Sequence, residues 1–206
     1  MLLWAGLFFL VVGAGCVAID RRAVHLIHDH VGLGLTRFLG ATTHLAKAAH
    51  WLLAALLVYA VCWIRLRSGG GGAGVKLAFQ AALAFILALG AGSAVLHSIK
   101  LLLGRRRPRD ELEMGLYGFA PFGFSLSNNS FPSGHALTIF CVAAIASALW
   151  PQGALLWFAV ALWLALTRAL LNAHFLSDVL VGAGVGLISA REVMLLVFPQ
   201  LTPGWF

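Results

Sequence analysis

The stretch Asn128-Asn129-Ser130-Phe131-Pro132-Ser133-Gly134-His135 is a polar, turn-forming block that leads directly into an apolar segment. Asn, Ser, Pro and Gly favour turns and helix N-termini, where backbone N–H groups have no partner inside the helix. Small residues at such a terminus would let an anionic ligand approach the backbone closely, with His135 beside it. Pro-Ser-Gly-His alone is explained equally well by an ordinary helix cap.

Two further clusters favour a ligand site over a simple cap. Upstream lies Lys100, followed by Arg105-Arg106-Arg107-Pro108. Downstream lies Arg168, followed by His174 and Asp178. Each cluster stands at the end of an apolar run, so the pattern predicts one site assembled from distant parts of the chain.

The composition of the chain is that of an integral membrane protein. Of its 206 residues, 61% are hydrophobic and only 10% are charged, and the mean hydropathy is +0.95. A soluble domain has about 25% charged residues. The length suits a single membrane domain over residues 1–206, with no room for a separate soluble module.

The formal net charge of +7 points to anionic lipid or phosphate and not to nucleic acid. No basic module with interleaved aromatic residues is present, so we expect no nucleic-acid partner. Cys16, Cys62 and Cys141 are widely spaced in apolar surroundings, which is neither a disulfide framework nor a zinc pattern.

The hydrophobic segments predict an all-α bundle of six transmembrane helices, at roughly 17–25 residues each. A signal peptide is the rival interpretation of the first, but no Lys or Arg precedes its apolar core. The predicted spans are Leu2–Ile19, Trp51–Ile64, Val75–Ile99, His135–Trp150, Ala154–Leu171, and a sixth from Ser177 or Asp178 toward Phe198.

Between the first two spans, the mixed segment from Val24 to Lys47 predicts an amphipathic helix at the membrane interface. Its histidines His25, His28 and His30, together with Asp29, have the chemistry of metal ligands. No second ligand cluster accompanies them, so a solvated or interfacial helix face is the favoured interpretation, and no metal site is predicted.

Glycines mark a linker and a packing surface. Residues 68–74 form a flexible linker and not a phosphate loop, because no Lys-Ser or Lys-Thr follows. Gly182 and Gly186 are four residues apart, which predicts close packing of a neighbouring helix.

The longest non-spanning stretch, residues 101–131, holds the basic cluster and several aromatic residues. Aromatic side chains there suit a membrane–water boundary or a lid over a lipid headgroup. These are Tyr117, Phe119, Phe122 and Phe124.

Because successive spans cross the membrane in opposite directions, the three clusters are predicted to lie on one face of the membrane. If the third helix runs outward, Lys100 lies at its exit, and the fourth helix enters from the same side at His135. The fifth helix returns to that side at Arg168, immediately before His174 and Asp178.

This set of residue types fits phosphoryl transfer. Lys100, Arg107 and Arg168 can surround a phosphate, and Ser133 with the N–H groups near Gly134 adds neutral donors. Two histidines remain, which fits a nucleophile and a proton donor, and a carboxylate on one imidazole nitrogen would fix its tautomer. Acidic residues are too few for a two-metal site, so metal-free, cofactor-free chemistry is predicted.

The three motifs together resemble the signature of the type 2 phosphatidic acid phosphatase family. They are Lys100-x6-Arg107-Pro108, then Pro132-Ser133-Gly134-His135, then Arg168-x5-His174-x3-Asp178. Their order and spacing match from Lys100 to Gly186, about half of the chain. Thr167 stands where Ser is common in the family, and it keeps the hydroxyl.

The resemblance implies a six-helix membrane bundle with its active site facing the periplasm. It implies His174 as the nucleophile that forms a phosphohistidine, Asp178 as its partner and His135 as the general acid. The residues implied to bind phosphate are Lys100, Arg107, Ser133, Gly134 and Arg168.

The predicted function is that of a bacterial membrane lipid phosphatase. Candidate substrates are phosphatidic acid, phosphatidylglycerol phosphate, undecaprenyl pyrophosphate and the 1-phosphate of lipid A. A phosphotransferase with a hydroxyl acceptor is the first alternative. A non-catalytic lipid or anion transporter is the second, although transport requires neither the paired histidines nor Asp178.

Loop charges and family resemblance disagree on orientation. Counting Lys and Arg places the catalytic side in the cytoplasm, because that side carries most of them. Cations engaged with phosphate need not determine topology, so we expect a multi-pass inner-membrane protein with the site outside. The sequence does not specify the oligomeric state.

Overall fold

The computed structural model describes residues 1–122 and 128–206, and this part of the chain is helical and contains no strand. The predicted all-α class is therefore confirmed. The α-helices are α1 Leu2–Cys16, α2 Asp20–His30, α3 Leu33–Thr43, α4 Ala48–Arg67, α5 Ala73–Leu103, α6 Pro108–Met114, α7 Gly134–Leu149, α8 Ala154–Leu170 and α9 Leu176–Val197. Short 3₁₀ turns occupy His44–Ala46, Pro151–Gly153 and Pro199–Leu201.

By length and composition, four helical segments within the described residues can cross a membrane: Leu33–Arg67, Ala73–Leu103, Pro151–Leu170 and Leu176–Val197. The pair α1 and α2 would make a fifth span, but α2 turns 85° away from α1. Helix α7 is apolar but has only 16 residues. A count of six spans stays a prediction, as does the interfacial position of the segment from Val24 to Lys47, which forms α2, α3 and the turn after it.

Helix α9 lies at the centre of the bundle, packed against α1, α5 and α7. Glycines permit this close approach, because a Cβ atom at Gly182 would lie 2.3 Å from the Ser133 carbonyl oxygen. A Cβ atom at Gly186 would lie 2.5 Å from the carbonyl oxygen of Leu137 on α7. The predicted packing role of these two glycines is thus confirmed. On the other side of α9, Gly184 lies against Gly6 of α1.

Helix α5 has 31 residues, which at 1.5 Å per residue makes it about 46 Å long, more than the roughly 30 Å apolar core of a bilayer. It ends where Gly104 takes a φ of +45°, a conformation that favours glycine. Pro108 then starts α6, and the Asp110 carboxylate accepts the Arg107 N–H at 3.2 Å. The basic segment 105–107 is therefore extended between two helices.

The backbone of Arg105 joins the two halves of the loop between α6 and α7. It forms isolated β-bridges with Phe119 and Asn129, and its carbonyl accepts the Ser130 N–H at 3.0 Å. Tyr117 donates its hydroxyl to the Val17 carbonyl at 2.8 Å, at the break between α1 and α2. The loop is thus fastened to the bundle at its centre.

Of the aromatic residues predicted to form a boundary or lid, Tyr117 and Phe119 pack around the Arg105 side chain. Phe122 is exposed. Phe124 lies outside the described residues.

Candidate active site

All eight predicted site residues lie where helices α5 to α9 meet at one end of the bundle. Hydrogen bonds join the three sequence clusters: Lys100 donates to the Asn129 carbonyl, and the Ser133 N–H donates to the Asp178 carbonyl at 2.9 Å. His174 donates to the Ser130 carbonyl. The residues lie in the last turn of α5 (Lys100), before α6 (Arg107), at the start of α7 (Ser133, Gly134, His135), in the last turn of α8 (Arg168), in the loop after it (His174) and in the first turn of α9 (Asp178).

The His174 imidazole is buried, and a main-chain carbonyl determines its tautomer. Its Nδ1 lies 2.8 Å from the Ser130 carbonyl oxygen. A carbonyl only accepts hydrogen bonds, so Nδ1 carries the proton and Nε2 keeps its lone pair. With the residues that the structure describes, Nε2 forms no hydrogen bond. The ring therefore has an unprotonated Nε2, the form that the predicted nucleophile requires.

The Asp178 carboxylate supports this arrangement mainly through Ser130 and not through a direct bond to the imidazole. Its Oδ2 lies 3.6 Å from His174 Nδ1, which is too long for a hydrogen bond. Its hydrogen bonds come instead from Ser130 Oγ at 2.5 Å, the Phe175 N–H at 2.9 Å and Arg105 Nη1 at 2.6 Å. Asp178 therefore holds the residue whose carbonyl orients His174. The predicted direct carboxylate–imidazole bond is replaced by this indirect one.

Behind Asp178 lies a buried ion-pair network that the sequence analysis missed. The Arg105 guanidinium is completely buried and donates through Nη2 to Asp20 at 2.8 Å and to the Tyr117 hydroxyl at 3.0 Å. Its Nη1 donates to Ser177 Oγ at 2.6 Å as well as to Asp178. Asp20 in turn accepts hydrogen bonds from the backbone N–H and the side-chain hydroxyl of Ser177.

Two other residues at the site were given no role in the sequence analysis, because neither matches a motif. Asn129 accepts a hydrogen bond from Lys100 on its carbonyl oxygen, and from Arg107 on its side-chain Oδ1 at 2.7 Å. Thr43, on α3, accepts from Arg168 at 3.2 Å. Asn129 lies within the stretch from Asn128 to His135, which is a usable signal, whereas nothing near Thr43 indicated its role.

Two of the predicted phosphate-binding side chains retain unused donors. Ser133 Oγ and Arg168 Nε are buried, and neither has a hydrogen-bond partner within residues 1–122 and 128–206. Buried polar groups normally have partners, and leaving one unpaired costs free energy. Unpaired donors beside Lys100 and Arg107 are consistent with a site for an anionic ligand.

His135 lies in the first turn of α7, in the electrostatic field of Arg168, His174 and Arg107. It also lines a cavity of about 400 Å³ between α4, α5 and α7. Most of the lining is apolar, with Ala48, Ala49, Leu96 and Leu137, while Lys47 and His97 add polar groups. The cavity can hold an apolar group next to His135.

Burial and neighbouring carboxylates act on the pKa values of His174 and Arg105. Burial lowers the pKa of His174, and the nearby Asp178 carboxylate opposes this effect without cancelling it. The imidazole is therefore neutral at pH 7. Burial alone would also lower the pKa of Arg105, but Asp178 and Asp20 raise it above its ordinary value.

The histidine-rich segment of α2 does not gather metal ligands. His25 instead lies 3.1 Å from a Glu111 carboxylate oxygen that also accepts from Arg21 at 2.6 Å, which joins α2 to α6. In the part of the chain that the structure describes, no three His, Cys, Asp or Glu side chains come together in a way that could hold a metal ion.

The chain thus forms a helical bundle that has segments apolar and long enough to cross a membrane, with a cluster of cations and two histidines at one end. The family model of the PAP2 superfamily matches residues 81–201, more than half of the chain. The chain belongs to this superfamily. The matched region contains all eight predicted site residues but not Asp20.

Two curated relatives have the name lipid A 1-phosphatase. The chain is 38% identical over 88 residues to the protein from Rhizobium johnstonii and 36% identical over 88 residues to the one from Rhizobium etli. Both alignments cover 43% of this chain, and 36% and 38% of the respective relative. The match therefore spans little more than a third of the length of these relatives.

Two solved structures share the fold. A transmembrane PAP2-type phosphatidylglycerolphosphate phosphatase from Bacillus subtilis aligns with a TM-score of 0.69 at 21% identity, over 100% of this chain and 98% of its own. LpxE from Aquifex aeolicus aligns with a TM-score of 0.60 at 21% identity, over 84% of this chain and 92% of its own. At this identity the likeness concerns the fold alone.

Proposed function

We propose that the protein is a metal-independent lipid phosphatase that hydrolyses a lipid phosphomonoester or pyrophosphate through a phosphohistidine at His174. The observation that carries the proposal is the buried, neutral His174, whose Nδ1 proton is held by the Ser130 carbonyl at 2.8 Å. This hydrogen bond leaves the Nε2 lone pair for attack on phosphorus. The membership of the chain in the PAP2 superfamily supports the same chemistry.

In the first step, His174 Nε2 attacks the phosphorus atom, and the bond between phosphorus and the lipid oxygen breaks. His135 gives its proton to the departing oxygen. Lys100, Arg107 and Arg168, with Ser133 and the Gly134 N–H, stabilise the charge on the other phosphate oxygens. In the second step, a water molecule gives a proton to His135 and attacks phosphorus, and the P–N bond breaks to release phosphate.

The cavity beside His135 supports a lipid leaving group. In an in-line displacement the leaving oxygen lies opposite the nucleophile, next to the group that protonates it. The apolar cavity of about 400 Å³ begins at that group. Its size and lining suit the part of a lipid nearest to the phosphate.

Among the four candidate substrates, we favour the 1-phosphate of lipid A, because both curated relatives are lipid A 1-phosphatases. Phosphatidylglycerol phosphate is second, since a structural neighbour acts on that lipid by its name. Phosphatidic acid and undecaprenyl pyrophosphate remain in the set.

The test is phosphate release from these four lipids in detergent with chelator present. We expect wild type and the surface control His30→Ala to release phosphate, and His174→Ala to release none. Equal release by His174→Ala would contradict the proposed nucleophile. A requirement for added Mg²⁺ or Zn²⁺ would contradict the metal-free mechanism.

A phosphotransferase is the alternative enzyme, and the same assay separates the two. Adding an acceptor alcohol to a phosphatase leaves inorganic phosphate as the product, whereas a transferase moves the phosphoryl group to the alcohol. Lipid binding without turnover in the wild type would favour the transporter.

The proposal places the site on the periplasmic side of the bacterial inner membrane. The family resemblance supports this orientation. The engagement of Lys100, Arg105 and Arg107 in hydrogen bonds at the site supports it too, because cations with partners in the protein carry less weight in determining topology.

A further inference from the structure

Three buried charges stand in a row behind the candidate nucleophile. The Arg105 guanidinium lies between two carboxylates, 2.8 Å from Asp20 and 2.6 Å from Asp178. The side chains of all three residues are completely buried. Ser177, also fully buried, bridges the same groups by accepting from Arg105 and donating to Asp20.

Stability alone is a weak reason for such an arrangement. Each buried charge loses its hydration, and replacing a buried ion pair with apolar residues of similar volume is often neutral or stabilising. This network has one cation and two carboxylates, so its formal charge is −1, and it lies directly beside His174.

Arg105 reaches His174 by two independent routes. Through its side chain it holds Asp178, which accepts the Ser130 hydroxyl at 2.5 Å. Through its main chain it accepts the Ser130 N–H at 3.0 Å. Both routes converge on Ser130, whose carbonyl receives the Nδ1 proton of His174.

Aromatic rings and the carboxylate of Asp20 fix Arg105 itself. The centre of the guanidinium lies 4.2 Å from the ring centroid of Phe175 and 4.9 Å from that of Phe119. Asp20 holds the second nitrogen of the fork and accepts the Ser177 N–H at 3.1 Å, at the start of α9. The break between α1 and α2, where Asp20 lies, is thereby connected to the helix that follows His174.

We propose that Asp20, Arg105 and Ser177 are positioning residues that orient His174 for catalysis through Asp178 and Ser130. This inference rests on the proposed function. No hydrogen bond or ion pair joins the side chains of these three residues to Lys100, Arg107 or Arg168, the predicted phosphate-binding residues. We therefore expect them to act on turnover and not on binding.

The first test compares Asp20→Asn with Asp29→Asn, the same substitution at an exposed position of α2. We expect Asp20→Asn to lower kcat roughly ten- to a hundredfold, because small misplacements of a reacting group have effects of this size. KM for the lipid phosphate should remain the same as in wild type. Asp29→Asn should match wild type in both constants, and equal kcat values for the two variants would overturn the inference.

Ser177→Ala is the second variant, chosen because it removes only a hydroxyl group and keeps a small buried side chain. It should also lower kcat without changing KM, and it decides the question if Asp20→Asn does not fold. Arg105→Lys keeps the charge but loses the two guanidinium nitrogens that bind Asp20 and Asp178, so it should behave like Asp20→Asn. Arg109→Lys, at an exposed position, is its control. A rise in KM with unchanged kcat would contradict the positioning role.

A measurement that does not need turnover separates this inference from the proposed function. Two-bond ¹H–¹⁵N spectra of the histidine-labelled protein report the tautomer of each imidazole, and His174→Ala identifies the His174 signal. We expect a single Nδ1-protonated tautomer in wild type and in Asp29→Asn, and a mixture of tautomers in Asp20→Asn. An unchanged tautomer in Asp20→Asn overturns the inference, whereas an inactive wild type overturns only the proposed function.

Discussion

At the scale of the residue, the hydrogen bond from His174 to the Ser130 carbonyl gives the carbonyl a role distinct from that of the Asp178 carboxylate. A carbonyl is always an acceptor, so it keeps the proton on Nδ1 over a wide pH range. Asp178, at 3.6 Å, acts through its charge and through its hold on Ser130. The proposed nucleophile therefore depends on backbone geometry as much as on its carboxylate neighbour.

The lowered pKa of His174 predicts the acidic side of the pH–rate profile. Nucleophilic attack needs neutral His174, and protonation of Nε2 removes its lone pair. Since burial lowers the pKa, this protonation occurs only below the ordinary value of about 6.5. We therefore expect the acidic limb of kcat/KM, along which activity falls as the pH drops, to be centred below pH 6.5.

Substrate phosphate also titrates near this range, with a pKa of about 6. Measuring the profile with both a phosphomonoester and a pyrophosphate separates the two, because the limb that belongs to the enzyme is the same for both. If the acidic limb common to both substrates were centred above pH 6.5, the pKa of His174 would not be lowered.

Sequence motifs predicted the residues of the candidate phosphate site, but they did not predict the buried residues that support His174 and Asp178. Lys100, Arg107, His135, His174 and Asp178 stand at recognisable spacings, and the structure brings their segments together. Asp20 was given no role, and Arg105 was named only as one member of the basic cluster 105–107. Arg105 is buried just after the turn at Gly104, and no local sequence pattern shows which arginine of the cluster points inward.

At the scale of the helix, apolar runs predicted the positions of the helices better than their ends. The first helix ends at Cys16, before the predicted Ile19, and α4 begins at Ala48, before the predicted Trp51. Tertiary contacts explain the first difference. Asp20 accepts the Ser177 N–H, and the Val17 carbonyl accepts the Tyr117 hydroxyl. A sequence pattern cannot include partners this far along the chain.

Gly182→Ala should disturb the contact between α9 and the turn before α7. The new Cβ atom would lie 2.3 Å from the Ser133 carbonyl oxygen, a backbone atom that cannot move without its neighbours. Overpacking of this kind costs roughly 1–3 kcal/mol. We expect a lower thermal unfolding midpoint in detergent, together with reduced phosphate release because Ser133 is displaced.

Gly90→Ala is the matched control, because a Cβ atom there meets nothing within 4 Å. It should leave both the unfolding midpoint and phosphate release at the wild-type values. Equal behaviour of the two variants would mean that the bundle adjusts freely at Gly182.

At the scale of the whole molecule, loop charges and family resemblance predict opposite orientations in the membrane. Most of the cations belong to the end of the bundle that carries the site, and several of them are engaged there in hydrogen bonds. On the proposed function these positive charges serve the site, so we expect them to carry little weight in determining its side of the membrane.

Cysteine labelling tests the proposed orientation. In a background without Cys16, Cys62 and Cys141, single Arg109→Cys and Ser68→Cys variants place a thiol at the opposite ends of α5, both at exposed positions. We expect a membrane-impermeant thiol reagent to label Arg109→Cys in intact spheroplasts and Ser68→Cys only after lysis. The reverse pattern would place the site in the cytoplasm.

The contact between Asp20 and Ser177 joins residues that are 157 positions apart. During synthesis, Asp20 enters the membrane long before the residues that neutralise and bind it. Arg105 follows 85 positions later, and the helix that begins beside Ser177 follows both of them. On the mechanism proposed here, the nascent chain is inert toward the lipids around it, and hydrolysis begins only when α9 docks.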